Sequence, residues 1–197
     1  MDPAPGSLPP EYFDHVYQAK ADPWEFATSP YEAAKYDATL AALPREHYPV
    51  AFEAGCSIGV LTARLAPRCG ELLSIDVSER ALAQARERCV GLPQVRFEKR
   101  YLPDEFPAEE FDLILVSEVG YYLSLPDLRR LRERCFNQLK PRGHLLLVHW
   151  TPLVHDYPLT GDAVHEEFLA AASRDARLLH KTGTQAERYR LDLFERE

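Results

Sequence analysis

The sequence predicts a doubly wound α/β fold, a mostly parallel sheet with helices on both faces. Between residues 50 and 150, strand-length apolar runs alternate with helix-length segments of helical periodicity. The runs 111–116 and 144–148 are almost continuously apolar, which is typical of parallel strands buried on both faces. Only a few residues join the last two runs, so these strands must pair antiparallel and end the sheet as a hairpin.

Residues 1–43 predict an N-terminal helical lid. The first ten residues are rich in proline and glycine, which indicates a frayed lead-in. The rest has helical spacing and many aromatic side chains. The steps Asp22-Pro23 and Ser29-Pro30 interrupt it, because the residue before proline is driven out of helical geometry. We therefore expect two short helices around a loop that carries Trp24.

Residues 44–197 predict the α/β core, and the 197-residue chain has the length of one domain. The predicted strands cover 50–54, 71–77, 95–99, 111–117, 144–150, 176–181 and 187–194, and the predicted helices cover 58–67, 79–89, 126–139 and about 162–173. We expect Ser78 to cap the second of these helices, Pro141-Arg142-Gly143 to close the third, and Thr182-Gly183-Thr184 to form the hairpin turn.

Composition narrows the range of partners. The net charge of −8 and the pI near 5.4 differ from the basic field that proteins binding a nucleic-acid backbone usually show. The N-terminus has neither a basic region nor an apolar stretch, and no run approaches the ~20 apolar residues that span a bilayer. We expect a cytoplasmic protein that binds a small molecule and neither nucleic acid nor membrane. The sequence leaves the oligomeric state open.

The cysteines and histidines give no indication of a metal site. The 4 cysteines form no C-x-x-C pair, which favours reduced thiols over a zinc knuckle or a disulfide framework. The 7 histidines show no paired helical spacing. Four arginines fall on the outer face of the helix 126–139 and are expected to be solvated: Arg129, Arg130, Arg132 and Arg134.

The most informative segment follows the first core strand. Gly55 stands where this strand turns into its helix and Gly59 lies on the first helical turn, where a missing side chain lets a ligand or a neighbouring strand approach. Asp76 ends the second strand 21 residues after Gly55, the spacing of a carboxylate that accepts hydrogen bonds from ribose hydroxyls. Glu53 suits a ligand that also carries an ammonium group. The segment predicts a pocket for an amine-bearing nucleoside.

A nicotinamide dinucleotide fits this segment poorly. The fingerprint G-x-G-x-x-G fails, because Ser57 and Val60 occupy the second and third glycine positions. The carboxylate of Glu53 would also repel a pyrophosphate. These features disfavour an NAD-linked oxidoreductase.

The pattern Glu53-x-Gly55-x-x-x-Gly59 followed by Asp76 resembles the first two motifs of class I S-adenosylmethionine-dependent methyltransferases. The resemblance covers about residues 50–197. It implies S-adenosylmethionine as cofactor and a Rossmann-like, seven-stranded sheet of strand order 3-2-1-4-5-7-6, in agreement with the closing hairpin.

Three further segments resemble the rhizobial nodulation protein S family: Asp22-Pro23-Trp24, then Pro30-Tyr31-Glu32 with Lys35, and residues 117–123. Members of that family are N-methyltransferases that act on the free amino group of a deacetylated chitooligosaccharide. The resemblance therefore implies methyl transfer to a small-molecule amine such as an amino sugar. A small-molecule O-methyltransferase is the nearest alternative. A non-catalytic module that binds S-adenosylmethionine and regulates a partner is another.

The resemblance also implies which residues hold the cofactor. Glu53 would face its amino group and Asp76 its ribose, while Gly55 and Gly59 would pass close to its methionine and ribose portions. Many relatives have an acid for the adenine amine where this chain has Tyr101, so the adenine is expected to be recognised by backbone groups near Arg100–Leu102 or by ring stacking. The expected cofactor-binding residues are Trp24, Tyr31, Lys35, Glu53, Gly55, Cys56, Gly59, Asp76, Val77, Arg100, Tyr101, Leu102 and Ser117.

The expected catalytic residues follow the fourth and fifth strands, because open α/β sheets bind ligands beyond the carboxyl ends of their strands. Methyl transfer to an amine needs alignment, exclusion of water and removal of a proton. We expect Glu118 to orient the amine and accept its proton, while Tyr121 or Tyr122 fixes the acceptor or the methyl group. His149 is expected to be either a base or substrate contact, or a hydrogen-bonded structural histidine.

Overall fold

The computed structural model describes residues 6–175 and 177–197. Within them, seven strands form one sheet of order β3-β2-β1-β4-β5-β7-β6. The strands are β1 Tyr48–Ala54, β2 Cys69–Asp76, β3 Val95–Lys99, β4 Phe111–Ser117, β5 Leu139–Trp150, β6 Leu178–Gln185 and β7 Tyr189–Arg196. The pairs β1–β2, β2–β3 and β4–β5 are parallel, whereas β5–β7 and β6–β7 are antiparallel. The predicted fold class, strand order and closing hairpin are confirmed.

Most of the helices in the described residues start where the sequence supplies a capping hydroxyl or a proline. They are α1 Pro10–Ala19, α2 Pro30–Ala41, α3 Val60–Leu65, α4 Glu79–Arg88, α5 Leu125–Gln138 and α6 Gly161–Ala172, with short 3-10 turns at Ala66–Arg68 and Gly120–Tyr122. The hydroxyls of Ser29, Ser124 and Thr160 accept hydrogen bonds from the first turns of α2, α5 and α6. None of the helices in the described residues combines the length and the apolar character that crossing a bilayer requires.

The chain divides into two compact units. One, called here the N-terminal unit, comprises Pro9–Tyr101 and holds α1, α2, β1, β2, β3, α3 and α4. The other, the C-terminal unit, comprises Leu102–Glu197 together with residues 6–8, and holds β4 to β7, α5 and α6. The predicted helical lid is therefore part of a larger unit. One domain over residues 1–197 stays a prediction.

Each unit has an apolar interior made by its strands. In the N-terminal unit Ala51, Phe52 and Ala54 of β1 have no exposed surface. In the C-terminal unit the same holds for residues 113–116 of β4 and 145–148 of β5. Continuous apolar strands are buried on both faces because helices cover a parallel sheet on both sides.

The predicted frayed lead-in is wrong for residues 7 and 8. The Leu8 amide donates to the Tyr122 carbonyl over 2.8 Å, and the Ser7 hydroxyl accepts from the Ser124 amide over 2.8 Å. Ser7 also bonds to Asp127. These contacts tie the segment to the first turn of α5. The expectation for residues 1–5 lies outside the described residues.

The closing strands differ from the prediction in their limits. Strand β5 begins at Leu139, directly after α5, with a register irregularity before His144. The hairpin turn is at 186–188, where the Ala186 amide donates to the Tyr189 carbonyl over 2.9 Å. Gly183, expected in the turn, pairs within the ladder with Asp192, because β-branched neighbours on both sides favour strand geometry. The first residue of the predicted strand, residue 176, lies outside the described residues.

Two side chains differ from their expected roles. Ser78 stands at the N-cap of α4, but its hydroxyl donates to Asp14 over 2.8 Å instead of capping the helix. Arg132 was expected in solvent, yet its side chain is only 15% exposed and contacts Glu167 of α6 at 2.5 Å. The other three arginines of α5 are exposed as expected.

Candidate active site

The turn after β1 in the N-terminal unit has the backbone that its glycines predict. Gly55 and Gly59 have φ of +73° and +78°, in the left-handed region that favours glycine. A Cβ at Gly59 would lie 2.8 Å from the Cα of Ala85. Helix α4 is therefore the close neighbour of Gly59, whereas the sequence predicted that a ligand or a strand approaches there.

Asp76 joins this turn to the end of β2. Its two carboxylate oxygens accept the amides of Ser57 and Ser78, each over 2.9 Å. Burial raises the pKa of Asp76 to about 6, although these amide donors act in the opposite direction. The carboxylate is thus positioned by backbone groups on both sides. Ser57, with φ of +50°, was missed by sequence reasoning, although it lies inside the recognised motif.

Glu53 lies inside the N-terminal unit with 1% of its surface exposed. One carboxylate oxygen accepts hydrogen bonds from the hydroxyls of Thr62 and Ser74, over 2.6 Å and 2.7 Å. Burial raises the pKa of Glu53, and the two hydroxyls oppose that effect. Sequence reasoning missed both hydroxyl residues, because the contact joins β1, α3 and β2.

Helix α1 packs on the glycine turn. The Tyr17 and Ser57 hydroxyls are 2.6 Å apart, and the ring of Tyr17 meets the Trp24 ring edge to face at 5.6 Å. Trp24 also packs against the cluster formed by Tyr17, Ile58 and Ala81. Trp24 therefore lies in an aromatic cover over Ile58, in the middle of the turn.

Lys35 is 2% exposed and forms an ion pair with Glu32 of the same helix at 2.9 Å. Its ammonium lies 5.5 Å from the centre of the Tyr31 ring. The three side chains form one group on α2, in which Glu32 and Lys35 are buried and Tyr31 is half-buried. The expected contact of Lys35 with the cofactor stays a prediction.

The segment expected at the adenine divides between the two units. Arg100 and Tyr101 belong to the N-terminal unit, and Leu102 belongs to the C-terminal unit. The Arg100 amide donates to the Asp76 carbonyl over 3.1 Å, so this backbone group continues the β2–β3 ladder. Val77 and Tyr101 are partly buried.

Two other features of the N-terminal unit lie at the ends of β2 and β3. The Cys56 amide donates to the Ile75 carbonyl over 2.8 Å and holds the glycine turn to β2. A groove of about 590 Å³ lies beside the end of β3, lined by α1, α4 and Lys99. The four cysteines are free and buried.

Glu118 follows β4 in the C-terminal unit, directly after the buried Ser117. It has a φ of +58°, and its amide donates to the Val148 carbonyl over 2.9 Å. One carboxylate oxygen accepts the Tyr121 hydroxyl over 2.5 Å and the Trp150 amide over 3.0 Å. A bulky residue with positive φ is held there only by its surroundings, and such strain is frequent at functional sites.

Two tyrosine rings pack against Tyr121, the hydrogen-bond partner of Glu118. Tyr121 meets Tyr122 edge to face at 4.7 Å and stacks on Tyr157 at 5.1 Å. Burial raises the pKa of Tyr121 well above its ordinary value, and the charge of Glu118 adds to this effect. Tyr121 therefore keeps its proton and donates it in the hydrogen bond. Sequence reasoning missed Tyr157. Its position as an aromatic residue in a polar loop, between Pro152 and Pro158, could have indicated it.

His149 has no exposed surface. Its Nε2 accepts the Gly120 amide over 3.1 Å, and its Nδ1 lies 3.1 Å from Nε2 of His165. Of the two roles that the sequence allowed, this environment favours the hydrogen-bonded structural one. His155, in the neighbouring loop, is exposed.

The expected residues thus form two groups, one in each unit. The N-terminal unit brings Glu53, the glycine turn and Asp76 together, with α1 against the turn. The C-terminal unit brings Glu118, Tyr121, Tyr122 and His149 together.

Comparisons with known proteins identify relatives. The family model for nodulation protein S (NodS) matches residues 15–147. Nodulation protein S of Sinorhizobium fredii is 33% identical over 137 residues, 67% of this chain and 62% of that protein. Phosphoethanolamine N-methyltransferase of Plasmodium falciparum is 35% identical over 77 residues, 39% of this chain and 29% of that protein.

A solved structure is similar over nearly the whole chain. It is N-methyltransferase NodS from Bradyrhizobium japonicum WM9 in complex with S-adenosyl-L-homocysteine, with a TM-score of 0.81 and 26% identity. The match covers 93% of this chain and 99% of that chain. By contrast, the chain spans about half to three fifths of the length of the curated nodulation S proteins that it matches. Since the family model matches well over half of the chain, the chain belongs to the nodulation protein S family.

Proposed function

We propose that this chain is an S-adenosylmethionine-dependent methyltransferase that acts on a small-molecule amine, such as an amino sugar. The observation that carries the proposal is the Asp76 carboxylate, which two backbone amides hold beside a left-handed glycine turn. Family membership supports the same conclusion, as does the similar NodS structure, which contains S-adenosyl-L-homocysteine.

The N-terminal unit supplies the groups that fit the cofactor. Asp76 accepts hydrogen bonds from ribose hydroxyls, and the turn at Gly55 exposes backbone to the ligand. Glu53 attracts the cofactor's ammonium group, and Trp24 covers the turn. When bound, S-adenosylmethionine supplies a methyl group on a sulfonium, from which an amine nitrogen can take it.

The C-terminal unit supplies the groups that fit the acceptor. Glu118 attracts a protonated amine, orients it and accepts the proton that the nitrogen must lose. The Tyr121 hydroxyl and the Trp150 amide hold this carboxylate in one orientation, which reduces the entropy lost when the acceptor binds. The buried tyrosine rings keep water away from the reacting nitrogen.

Transfer of a labelled methyl group tests the proposal. The full chain is incubated with labelled S-adenosylmethionine and a panel of amino sugars, other amines and hydroxylated acceptors, and the products are separated by mass. The expected result is label on an amine nitrogen. Label only on oxygen would identify an O-methyltransferase. Saturable cofactor binding without transfer to any acceptor would identify a binding module instead.

A variant of Glu118 tests its assigned role. We expect Glu118→Gln to lower kcat by ~10²-fold or more, because the amide neither attracts the ammonium nor accepts its proton. Cofactor affinity should stay within about twofold, since Asp76 and the glycine turn are unchanged. The matched control Glu187→Gln removes an equal charge from the exposed hairpin turn and should leave kcat unchanged. Normal turnover of Glu118→Gln would refute the role.

A further inference from the structure

A chain of buried polar groups lies behind the turn at Gly120–Tyr122. It runs from the Gly120 amide to Nε2 of His149, from Nδ1 of His149 to Nε2 of His165, and from Nδ1 of His165 to Asp192. The three distances are 3.1 Å, 3.1 Å and 2.6 Å. Neither histidine has exposed surface, and Asp192 is 1% exposed. Three elements, β5, α6 and β7, each contribute one side chain.

The backbone amide determines where the protons in this chain lie. An amide can only donate, so Nε2 of His149 must accept, and the neutral ring carries its proton on Nδ1. His149 donates that proton to Nε2 of His165. The ring of His165 therefore carries its own proton on Nδ1. The last donation is to the Asp192 carboxylate. Every ring nitrogen in this chain therefore has a partner and a defined role as donor or acceptor.

The carboxylate end of the chain is anchored. Oδ2 of Asp192, which bonds to His165, also accepts from the Arg190 guanidinium over 2.9 Å. Oδ1 of Asp192 lies 2.6 Å from Nε2 of His180. Burial raises the pKa of Asp192, but His165, Arg190 and His180 outweigh it and bring the pKa below its ordinary value. A Cβ at Gly183 would lie 2.6 Å from this carboxylate, so the glycine leaves room for the contact with His180.

The other end of the chain holds a turn with little freedom. A Cβ at Gly120 would lie 2.6 Å from Val164 of α6 and 3.0 Å from Nε2 of His149. Tyr121 follows in the chain, and its carbonyl accepts the Leu159 amide over 3.1 Å. The position of Gly120 therefore determines where the Tyr121 hydroxyl meets Glu118, and the bond to His149 fixes Gly120.

We propose that His165 and Asp192 are positioning residues for methyl transfer. They hold His149 in the tautomer that accepts the Gly120 amide, and so fix the turn that orients Tyr121 and Glu118. The inference rests on the proposed function of Glu118. The side chains bond to one another, and among the described residues no cluster of histidine, cysteine and acidic groups is arranged to hold a metal ion. This polar chain has no part in the proposed cofactor binding.

Two variants of His165 with similar volume separate positioning from packing. In His165→Gln the side-chain carbonyl can accept from Nδ1 of His149, whereas in His165→Leu nothing can. We expect His165→Leu to lower kcat by ~10-fold or more and His165→Gln to stay within about threefold of the wild type, because only leucine leaves a buried donor without an acceptor. The KM for the cofactor should change by less than about twofold in both. Equal kcat values for the two variants would overturn the inference.

The imidazole ¹⁵N spectrum tests the chain without substrate. In the wild type at neutral pH, both His149 and His165 should show the neutral Nδ1–H form, and the Gly120 amide should shift in His165→Leu but not in His165→Gln. An Nε2–H form of His149 in the wild type would overturn the inference. This readout needs no variant, so it holds even if His165→Leu fails to fold. If the wild type methylated no acceptor, that result would count against the proposed function. The spectrum would still test the hydrogen-bonded chain, because it is recorded without turnover.

Discussion

Replacing Asp76 by asparagine removes one buried ionisable group at the glycine turn, while the side chain keeps nearly the same shape. Asp76 has a pKa of about 6 in the folded chain, against an ordinary value of 3.8, chiefly because it is buried. The folded protein therefore binds this proton more tightly than the unfolded chain does. Between these two values the folded state carries more protons, so the free energy of unfolding falls as pH rises through the folded pKa.

The size of the effect follows from the shift. A difference of about two pKa units corresponds to ~3 kcal/mol of unfolding free energy, present below pH 3.8 and lost above pH 6. About 2 kcal/mol of this falls between about pH 4.5 and about pH 7.5. In Asp76→Asn this titration is absent. Any constant cost of placing the amide nitrogen against the Ser57 or Ser78 amide is the same at both pH values and cancels.

Urea unfolding of both proteins across this pH range measures the effect. The expected result is that wild type, relative to Asp76→Asn, loses about 2 kcal/mol between the two pH limits. Asp37→Asn is the matched control, because Asp37 lies on the surface with its side chain 70% exposed. This control should follow the wild type across the range.

Parallel pH curves for wild type and Asp76→Asn would refute the reasoning, since they would mean that Asp76 has no raised pKa. A difference of opposite sign would show that the two amide donors lower the pKa by more than burial raises it. Cofactor affinity gives a second, independent readout. Asp76→Asn should weaken binding by ~1–3 kcal/mol if this carboxylate accepts the ribose hydroxyls.

Two further changes test the packing of the same unit. Gly59→Ala should destabilise the fold by ~1–3 kcal/mol in thermal unfolding, because its Cβ would lie 2.8 Å from the Cα of Ala85 and its φ is +78°; an unchanged melting temperature would contradict the close approach. Thr62→Val should lower the free energy of unfolding at neutral pH by ~1–3 kcal/mol, because the buried Glu53 loses a hydroxyl donor, and Thr62→Ser should restore it. Equal urea midpoints for the valine and serine variants would show that this hydrogen bond contributes little.

The strands and the fold class could be read from the sequence, because burial on both faces leaves a local signature. The predicted limits of β3 and β4, Val95–Lys99 and Phe111–Ser117, match the structure. A proline stands a few residues before each strand, Pro93 before β3 and Pro107 before β4. The hairpin limits could not be read, because Thr182 and Thr184 suit a strand and Gly183 suits a turn. The pairing of Gly183 with Asp192 depends on a contact between strands, which no local pattern records.

The site residues divide in the same way. The sequence by itself determined that Gly55, Gly59 and Asp76 lie at strand ends and turns, because backbone geometry and spacing restrict which residues can stand there. Tertiary structure alone decided that Thr62 and Ser74 hold Glu53, that Tyr157 stacks on Tyr121, and that His165 and Asp192 stand behind His149. A polar side chain inside an apolar run, such as Asp192 between Leu191 and Leu193, signals a buried partner. Its identity follows only when distant segments pack, because hydrogen bonds between them depend on distance and direction and not on position in the chain.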